Sequence, residues 1–434
     1  MGKNENNNFQ DIQDTQDFAE REIVAFAREH QGEDTARLLL SASRYPSIDV
    51  PAAVQQIEGL RVAQEKWPWL LQYKEFLYPP RLNREQSSSE ATAEHKAQLA
   101  DELCGEEALV TVADLTGGMG IDSIVFAQRG KSIHPLKTQI ITHVDYVERD
   151  AGLCSLMEHN RRVLGLENIT VKNSDCIDWL STNDRHYDII YIDPARRSSA
   201  GRKVAAFEDC EPNILEHMPL LRSHCRWLIV KASPMIDLSM AQRQLGEVAE
   251  VHIVSVKGEC KEVLFVCGCH EGETVVHCIV KGHGEDYDID FTQSQEAEAE
   301  ARYCTDVGRY LYEPDAALMK GGPFNLIGQW MGIEKLARNT HLYTSEHYCD
   351  HFYGRVFCVL SELRLNRKEV AAAIPEGKAH VVTRNYPVEA ATLQRQLGLK
   401  EGGELFVVAT TVGTHKRGFL CCLPTRYEQF LNRL

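Results

Sequence analysis

The sequence predicts an α/β protein: a doubly wound sheet with an N-terminal helical domain before it and a smaller C-terminal α/β domain after it. Three observations predict it. From Leu109 onward, apolar strand segments alternate with helical ones. Tyr187–Ile192 shows no polar alternation, as expected of a strand covered on both faces. A glycine-rich turn, Asp114-Leu-Thr-Gly-Gly-Met-Gly120, separates the first strand from the helix behind it. Open α/β sheets bind their ligands at such turns.

The elements follow in order. Residues 1–15 are rich in Asn, Gln and Asp and read as a disordered tail. Residues 16–105 read as the helical domain. A helix follows Asp17, a second covers Thr35–Ser43, and a third starts at Pro51 and ends at Trp67. Pro79-Pro80 breaks the pattern, and Gln86-Ser-Ser-Ser-Glu-Ala-Thr-Ala opens another helix behind a serine cap. Residues 106–272 carry strands at Val110–Leu115, Ile140–Val147, Ile169–Lys172, Tyr187–Ile192 and Trp227–Lys231. A hairpin, Val251–Val256 with Val263–Cys267, closes the sheet. Residues 273–330 form a separate small region with a helix expected over Glu296–Leu311. Residues 335–434 alternate again as a second α/β domain, with strands at Arg355–Leu360, Ala379–Thr383, Leu405–Thr410 and Gly418–Leu423.

At 434 residues the chain is long enough for two to four domains. Lys and Arg number 47 against 63 Asp and Glu, a net charge of −16, so a general nucleic-acid coating protein is excluded. Any polynucleotide would be held by a local basic patch. No apolar run is long enough to span a bilayer, and the polar start carries no secretory signal, so neither membrane attachment nor export is expected. The fourteen cysteines form no C-x-x-C and read as reduced, mostly buried thiols of a cytoplasmic protein.

The chemistry concentrates at strand ends. Glycines let the backbone of 117–120 turn sharply and approach a ligand, and the helix behind offers free N–H groups. A dinucleotide turn wants G-x-G-x-x-G; here Gly118, Gly120 and Ser123 hold those positions, so the third glycine is missing. No P-loop lysine follows. An acidic residue ahead of the glycines suits S-adenosylmethionine (SAM), which carries an ammonium and a sulfonium but no phosphate. The next strand ends Asp145-Tyr-Val-Glu148, where a carboxylate can accept both ribose hydroxyls. The third is followed by Asp175-Cys176, and that aspartate can accept from the adenine amino group. The fourth ends at Asp193-Pro194. Four polar stations at successive strand ends of one Rossmann-like sheet point to a SAM site. It is built from Asp114, Thr116, Gly117, Gly118, Gly120, Glu148, Asp175, Cys176, Asp193 and Pro194.

Residues 109–270 resemble a class I SAM-dependent methyltransferase. The whole chain resembles a bacterial methyltransferase family with an N-terminal helical region, a small ferredoxin-like insert (here 273–330) and a C-terminal THUMP-like domain (here 335–434). Gln86–Ala93, Asp114–Gly120, Tyr146–Glu148, Asp193–Arg197, Glu208–Pro212, Tyr312–Asp315 and Ala337–Thr340 carry the resemblance. THUMP domains proper belong to RNA-modifying enzymes, so the resemblance implies an RNA substrate, tRNA or rRNA.

Asp193-Pro-Ala-Arg lacks the second proline and aromatic of many base amino-methyltransferases. It is similar to the motif of uracil-C5 RNA methyltransferases, but those need a cysteine after the fifth strand. Here Val230-Lys-Ala-Ser-Pro234 supplies none. Direct in-line displacement remains, with Asp193 orienting the nucleophile or taking its proton. Arg196, Arg197, Arg202 and Lys203 would hold substrate phosphates, or else pair with Glu208, Asp209 and Glu211. Arg384-Asn385 and Lys416-Arg417 read as surface charge that could extend that track. No metal is expected: Cys267-Gly-Cys269 reads as strand thiols, and the histidines show no H-E-x-x-H pairing. Trp67, Trp69 and Tyr73 read as core packing. Three rival readings remain: a methyltransferase acting on protein or a small molecule, a non-catalytic RNA-binding protein, and a nicotinamide-dependent oxidoreductase.

Overall fold

Side-chain caps start the helices of the N-terminal region. In the computed structural model, which describes residues 20–105, 109–129, 140–196, 207–282 and 286–431, helix α1 covers 20–29. Asp34 accepts from Arg37 N to start α2 (Thr35–Leu40), and Asp49 accepts from Ala52 N to start α3 (Val50–Lys66), with Pro51 in its first turn. Pro80 opens a short helix, α4 (Arg81–Gln86), where the sequence led us to expect only a break. Ser89 and Thr92 form a reciprocal capping box at α5 (Glu90–Cys104), an arrangement worth about 1 kcal/mol. Trp67 is fully buried and its Nε1 donates to Ser88 O, so its ring is core, as expected.

Two compact units divide the chain: Met1–Val248 with Leu264–His270, and Ala249–Val263 with Glu271–Leu434. In the first, strands β1 (Leu109–Asp114), β2 (Ile140–Glu148), β3 (Ile169–Asn173) and β4 (Tyr187–Ile192) are followed by a two-residue ribbon, β5 (Ala195–Arg196) with β6 (Cys210–Glu211), and by β7 (Cys225–Ala232). The sheet order runs β7-β4-β1-β2-β3, and each neighbouring pair is parallel. Asp114 lies beside Tyr146 and Tyr191, and Glu148 beside Asn173, so the carboxyl ends align on one edge. Strand order reverses between β1 and β4, which makes the crevice beyond their ends the place for a ligand. Val112, Ile189, Ile229, Phe126 and Met157 are buried in the core beneath it.

The hairpin of β8 (Val248–Val256) and β9 (Glu259–Cys267) forms as expected. The compact units part between His270 and Glu271, beside the expected border at 272/273. In the second unit β10 (Val275–Lys281) pairs parallel to β8, and β11 (Tyr287–Thr292) pairs antiparallel to β10. The expected helix over Glu296–Leu311 is replaced. A short helix covers only Gln293–Glu298. Further on, Cys304 N donates to Lys335 O and Lys335 N to Arg302 O. Tertiary pairing with Lys335 therefore overrides the helical propensity of this Ala/Glu-rich stretch.

A seven-stranded sheet follows, in the order β13-β14-β12-β15-β18-β17-β16. Its strands are β12 (Tyr310–Pro314), β13 (Glu334–Ala337), β14 (Thr340–Ser345), β15 (Gly354–Glu362), β16 (His380–Arg384), β17 (Leu405–Val412) and β18 (His415–Cys422). Because β12 lies between β14 and β15, this sheet starts at Tyr310, before the expected border at 335. No helix among the described residues is long and apolar enough to cross a membrane.

Candidate active site

The glycine turn is shaped by what lies under it. A Cβ on Gly117 would sit 2.3 Å from the Tyr146 ring, and one on Gly120 would sit 2.8 Å from Met157 Sδ. Gly118 (φ +54°) and Gly120 (φ +85°) adopt left-handed backbone, which glycine accepts without strain. Tyr146 OH donates to Gly118 O over 2.7 Å, and Gly117 N donates to Val147 O, so β2 holds the turn from below. Nothing approaches a Cβ built on Gly118 closer than Thr116 O at 3.8 Å, which leaves that face open to a ligand.

Asp114 is almost wholly buried. Its carboxylate accepts from Ser123 Oγ at 2.6 Å and from Thr116 N at 3.1 Å. Loss of hydration pushes its pKa from 3.8 to about 7, against the lowering effect of the Ser123 hydroxyl. Asp114 thus staples the turn to the helix α6 (Ile121–Arg129), and Ser123, at the third glycine position, is its partner.

Glu148 closes the turn from the side: Oε2 accepts from Gly118 N at 2.9 Å and Oε1 from Asp150 N at 2.9 Å. Asp145, three residues earlier and so on the opposite face of β2, is buried among Tyr187 OH, Arg185 and His143. Asp175 is exposed and caps the short helix Cys176–Ser181 by accepting from Ile177 N and Asp178 N. Cys176 is buried, and burial pushes its thiol up to about 12, so it is a packing group.

Asp193 joins the two central strands. Its N–H donates to Thr116 Oγ1 over 2.7 Å, while Oδ2 accepts from Lys231 Nζ at 2.6 Å; Pro194 after it is buried. Lys231, the penultimate residue of β7, lies far from Asp193 in the chain, so spacing alone does not pair the two. Of the four basic residues expected beside the donor, Arg196 has its backbone in β5, opposite Cys210. The side chain of Arg196 and all of Arg197, Arg202 and Lys203 lie outside the described residues. Two of the acids offered as their partners are engaged elsewhere: Glu211 with Arg149 at 2.8 Å, and Glu208 with Gln244.

A second missed group lies under the loop. Lys96 on α5 is fully buried, 3.3 Å from Asp122 in the first turn of α6. Asp122 Oδ2 also accepts from Ser88 Oγ and Tyr191 OH. The Gln86–Ala93 segment is therefore locked to the helix that follows the glycine turn. Lysine is rarely buried without a partner, but nothing in the spacing of residues 86–122 pairs Lys96 with Asp122 in advance.

In the second unit, Arg384 pairs with Glu313, and Arg417 with Glu362 and Asp306, so two of the three expected surface cations are tied to acids, while Lys416 is exposed. Eleven of the fourteen cysteines are buried, as expected, but Cys269 is exposed beyond the end of β9 rather than sharing a face with Cys267.

The residues fit a donor with amine and hydroxyl groups. The rim carries Glu148 and Asp193, the turn 114–123 contains no Lys or Arg for a phosphate, and only glycine fits the cradle. Comparisons with known proteins agree. Residues 310–352 match a ferredoxin-like domain, and 354–423 match a THUMP domain-like family. The chain is 26% identical over 276 residues to an uncharacterised S-adenosylmethionine-dependent methyltransferase of Mycobacterium tuberculosis strain CDC 1551, covering 62% of this chain and 72% of that protein. The counterpart in strain H37Rv matches equally. A crystal structure from Porphyromonas gingivalis W83, of a protein provisionally named a methyltransferase, superposes with a TM-score of 0.79 at 28% identity, covering 93% of this chain and 98% of that one.

Proposed function

We propose that this chain, a SAM-dependent methyltransferase whose sequence continues past its Rossmann-like sheet into ferredoxin-like and THUMP-like domains, methylates RNA, either tRNA or rRNA, by direct in-line transfer. The observation that carries the catalytic reading is the placement of Asp193. It is tied to Thr116, at the start of the glycine turn, and to Lys231 at the switch point of the sheet. The RNA reading rests on the THUMP-like match over 354–423.

SAM supplies a methyl group on a sulfonium, already activated toward displacement. Most of the protein's work is then positioning and exclusion of water. Glu148 accepts the ribose hydroxyls while its bond to Gly118 N sets its orientation. Thr116, Gly117, Gly118 and Gly120 let the donor approach the backbone. Asp175, Cys176 and Pro194 border the adenine side. Asp114 holds the turn from inside. Asp193 orients the acceptor atom and takes its proton, and Lys231 fixes the carboxylate. Arg196, Arg197, Arg202 and Lys203 hold phosphates next to it. The thiols suit a reducing cytoplasm.

Mass spectrometry of nucleosides from RNA of cells with and without the gene tests the reading. One modified nucleoside is expected to vanish with the gene and return with the intact chain. An unchanged profile, with methyl groups found in protein or small solutes, moves the acceptor class. Binding of RNA without any turnover reduces the chain to an RNA-binding protein.

A further inference from the structure

Three strands of the second unit bring together imidazoles and carboxylates that methyl transfer does not use. β8 and β10 are parallel, with His252 directly beside His277. Neighbours in register project from the same face of a sheet, as do residues two apart on a strand. Glu250, His252 and His277 therefore share a face. The two imidazole rings are stacked, with centroids 4.4 Å apart and planes 6° apart. Glu250 Oε2 lies 2.9 Å from His252 Nε2, and Asp288 on β11 lies 3.3 Å from His277 Nδ1. One ligand atom each from Glu250, His252 and His277 falls within 4.8 Å of the other two.

The surroundings give this cluster a floor and a mouth. The His252 side chain is 2% exposed, against 20% for His277, 31% for Glu250 and 55% for Asp288. An ion could enter from the Asp288 side and meet the buried imidazole last. The donor set is two imidazoles and a carboxylate, which matches three-ligand zinc sites that leave one position to water. Hard cations such as calcium and magnesium want six or more oxygens and are disfavoured. A helical H-E-x-x-H spacing is not what brings these ligands together. Here two are spaced i, i+2 on a strand and the third comes from the next strand over.

We propose that Glu250, His252 and His277 bind one divalent transition-metal ion of the zinc class, clipping β10 to β8, with Asp288 at the rim. The proposal is independent of the methyl-transfer reading. Its test uses the purified full chain carrying Cys269→Ser, stripped with chelator and titrated with Co²⁺. The expected result is one equivalent bound, with the visible bands of a tetrahedral nitrogen/oxygen site and no thiolate charge-transfer band. Thermal stability should rise with the metal, since it binds the folded state. Glu250→Gln and His277→Gln should each weaken Co²⁺ binding by about 10-fold or more while keeping the parent's far-ultraviolet circular dichroism. Absence of binding by the parent overturns the proposal whatever the variants do. So does a thiolate band at stoichiometric metal, or unchanged affinity in a folded variant.

Discussion

Lys231 Nζ donates to Asp193 Oδ2 over 2.6 Å, linking the carboxyl ends of β7 and β4. The pair fixes one oxygen of the carboxylate and leaves its remaining lone pairs to an acceptor. Asp193→Ala should therefore cut turnover by roughly 10²–10⁴-fold, the usual range for a lost acid–base group, while SAM affinity stays nearly intact. Lys231→Met should lower kcat and leave the KM for SAM close to the parent value, because Lys231 acts through Asp193. Steady-state kinetics with calorimetric SAM titration separates the two effects.

Gly117 faces the Tyr146 ring with no space for a Cβ. Gly117→Ala should cost about 1–3 kcal/mol through overpacking. If the turn moves to relieve the clash, SAM affinity falls about 10-fold for each 1.4 kcal/mol. Calorimetry and thermal melts on the variant read the two costs; an unchanged melt with unchanged affinity would show that Tyr146 does not support the turn.

The buried Lys96–Asp122 pair sits between the helical region and α6. Asp122→Ala strands a charged lysine and should destabilise the fold by about 3–5 kcal/mol. Ser88→Ala removes a donor to the same carboxylate and an acceptor of Lys96 Nζ while leaving the ion pair, and should cost about 1–3 kcal/mol. Urea denaturation midpoints should rank them in that order.

Burial raises the Asp114 pKa from 3.8 to about 7. The folded state then holds a proton that the unfolded chain releases, so this residue's contribution to stability falls as pH rises from about 4 to 7 and is constant above that. The loss amounts to about 4 kcal/mol over the window. Asp114→Asn cannot ionise. Its stability relative to the parent should climb across that interval, and denaturant titrations at several pH values would detect a flat difference if Asp114 were ionised throughout.

Cys210 is buried on the ribbon opposite Arg196, close in sequence to the expected acceptor site. In-line transfer needs no thiol. Cys210→Ser should retain methyltransferase activity, and its loss, with the fold intact, would point to a covalent route.

Most strands of both sheets were legible because apolar runs bounded by turns survive any packing. Residues 275–311 were not: the pairing of β10 with β8 and of 302–304 with Lys335 is non-local. At the site, Glu148, Asp193 and the glycines were legible from their places at strand ends. Asp114 was legible as a position but not in its environment, since only the packed turn shows that both its oxygens face inward. Lys231 and Lys96 were hidden because their partners are 38 and 26 residues away in the chain (231 − 193 and 122 − 96).

Purified chain incubated with methyl-labelled SAM and total RNA from cells lacking the gene tests the account at its centre. Label should enter RNA with the parent protein and stay at background with Asp193→Ala, although both bind SAM. Label entering RNA equally with that variant, or entering only protein or small solutes, would contradict it.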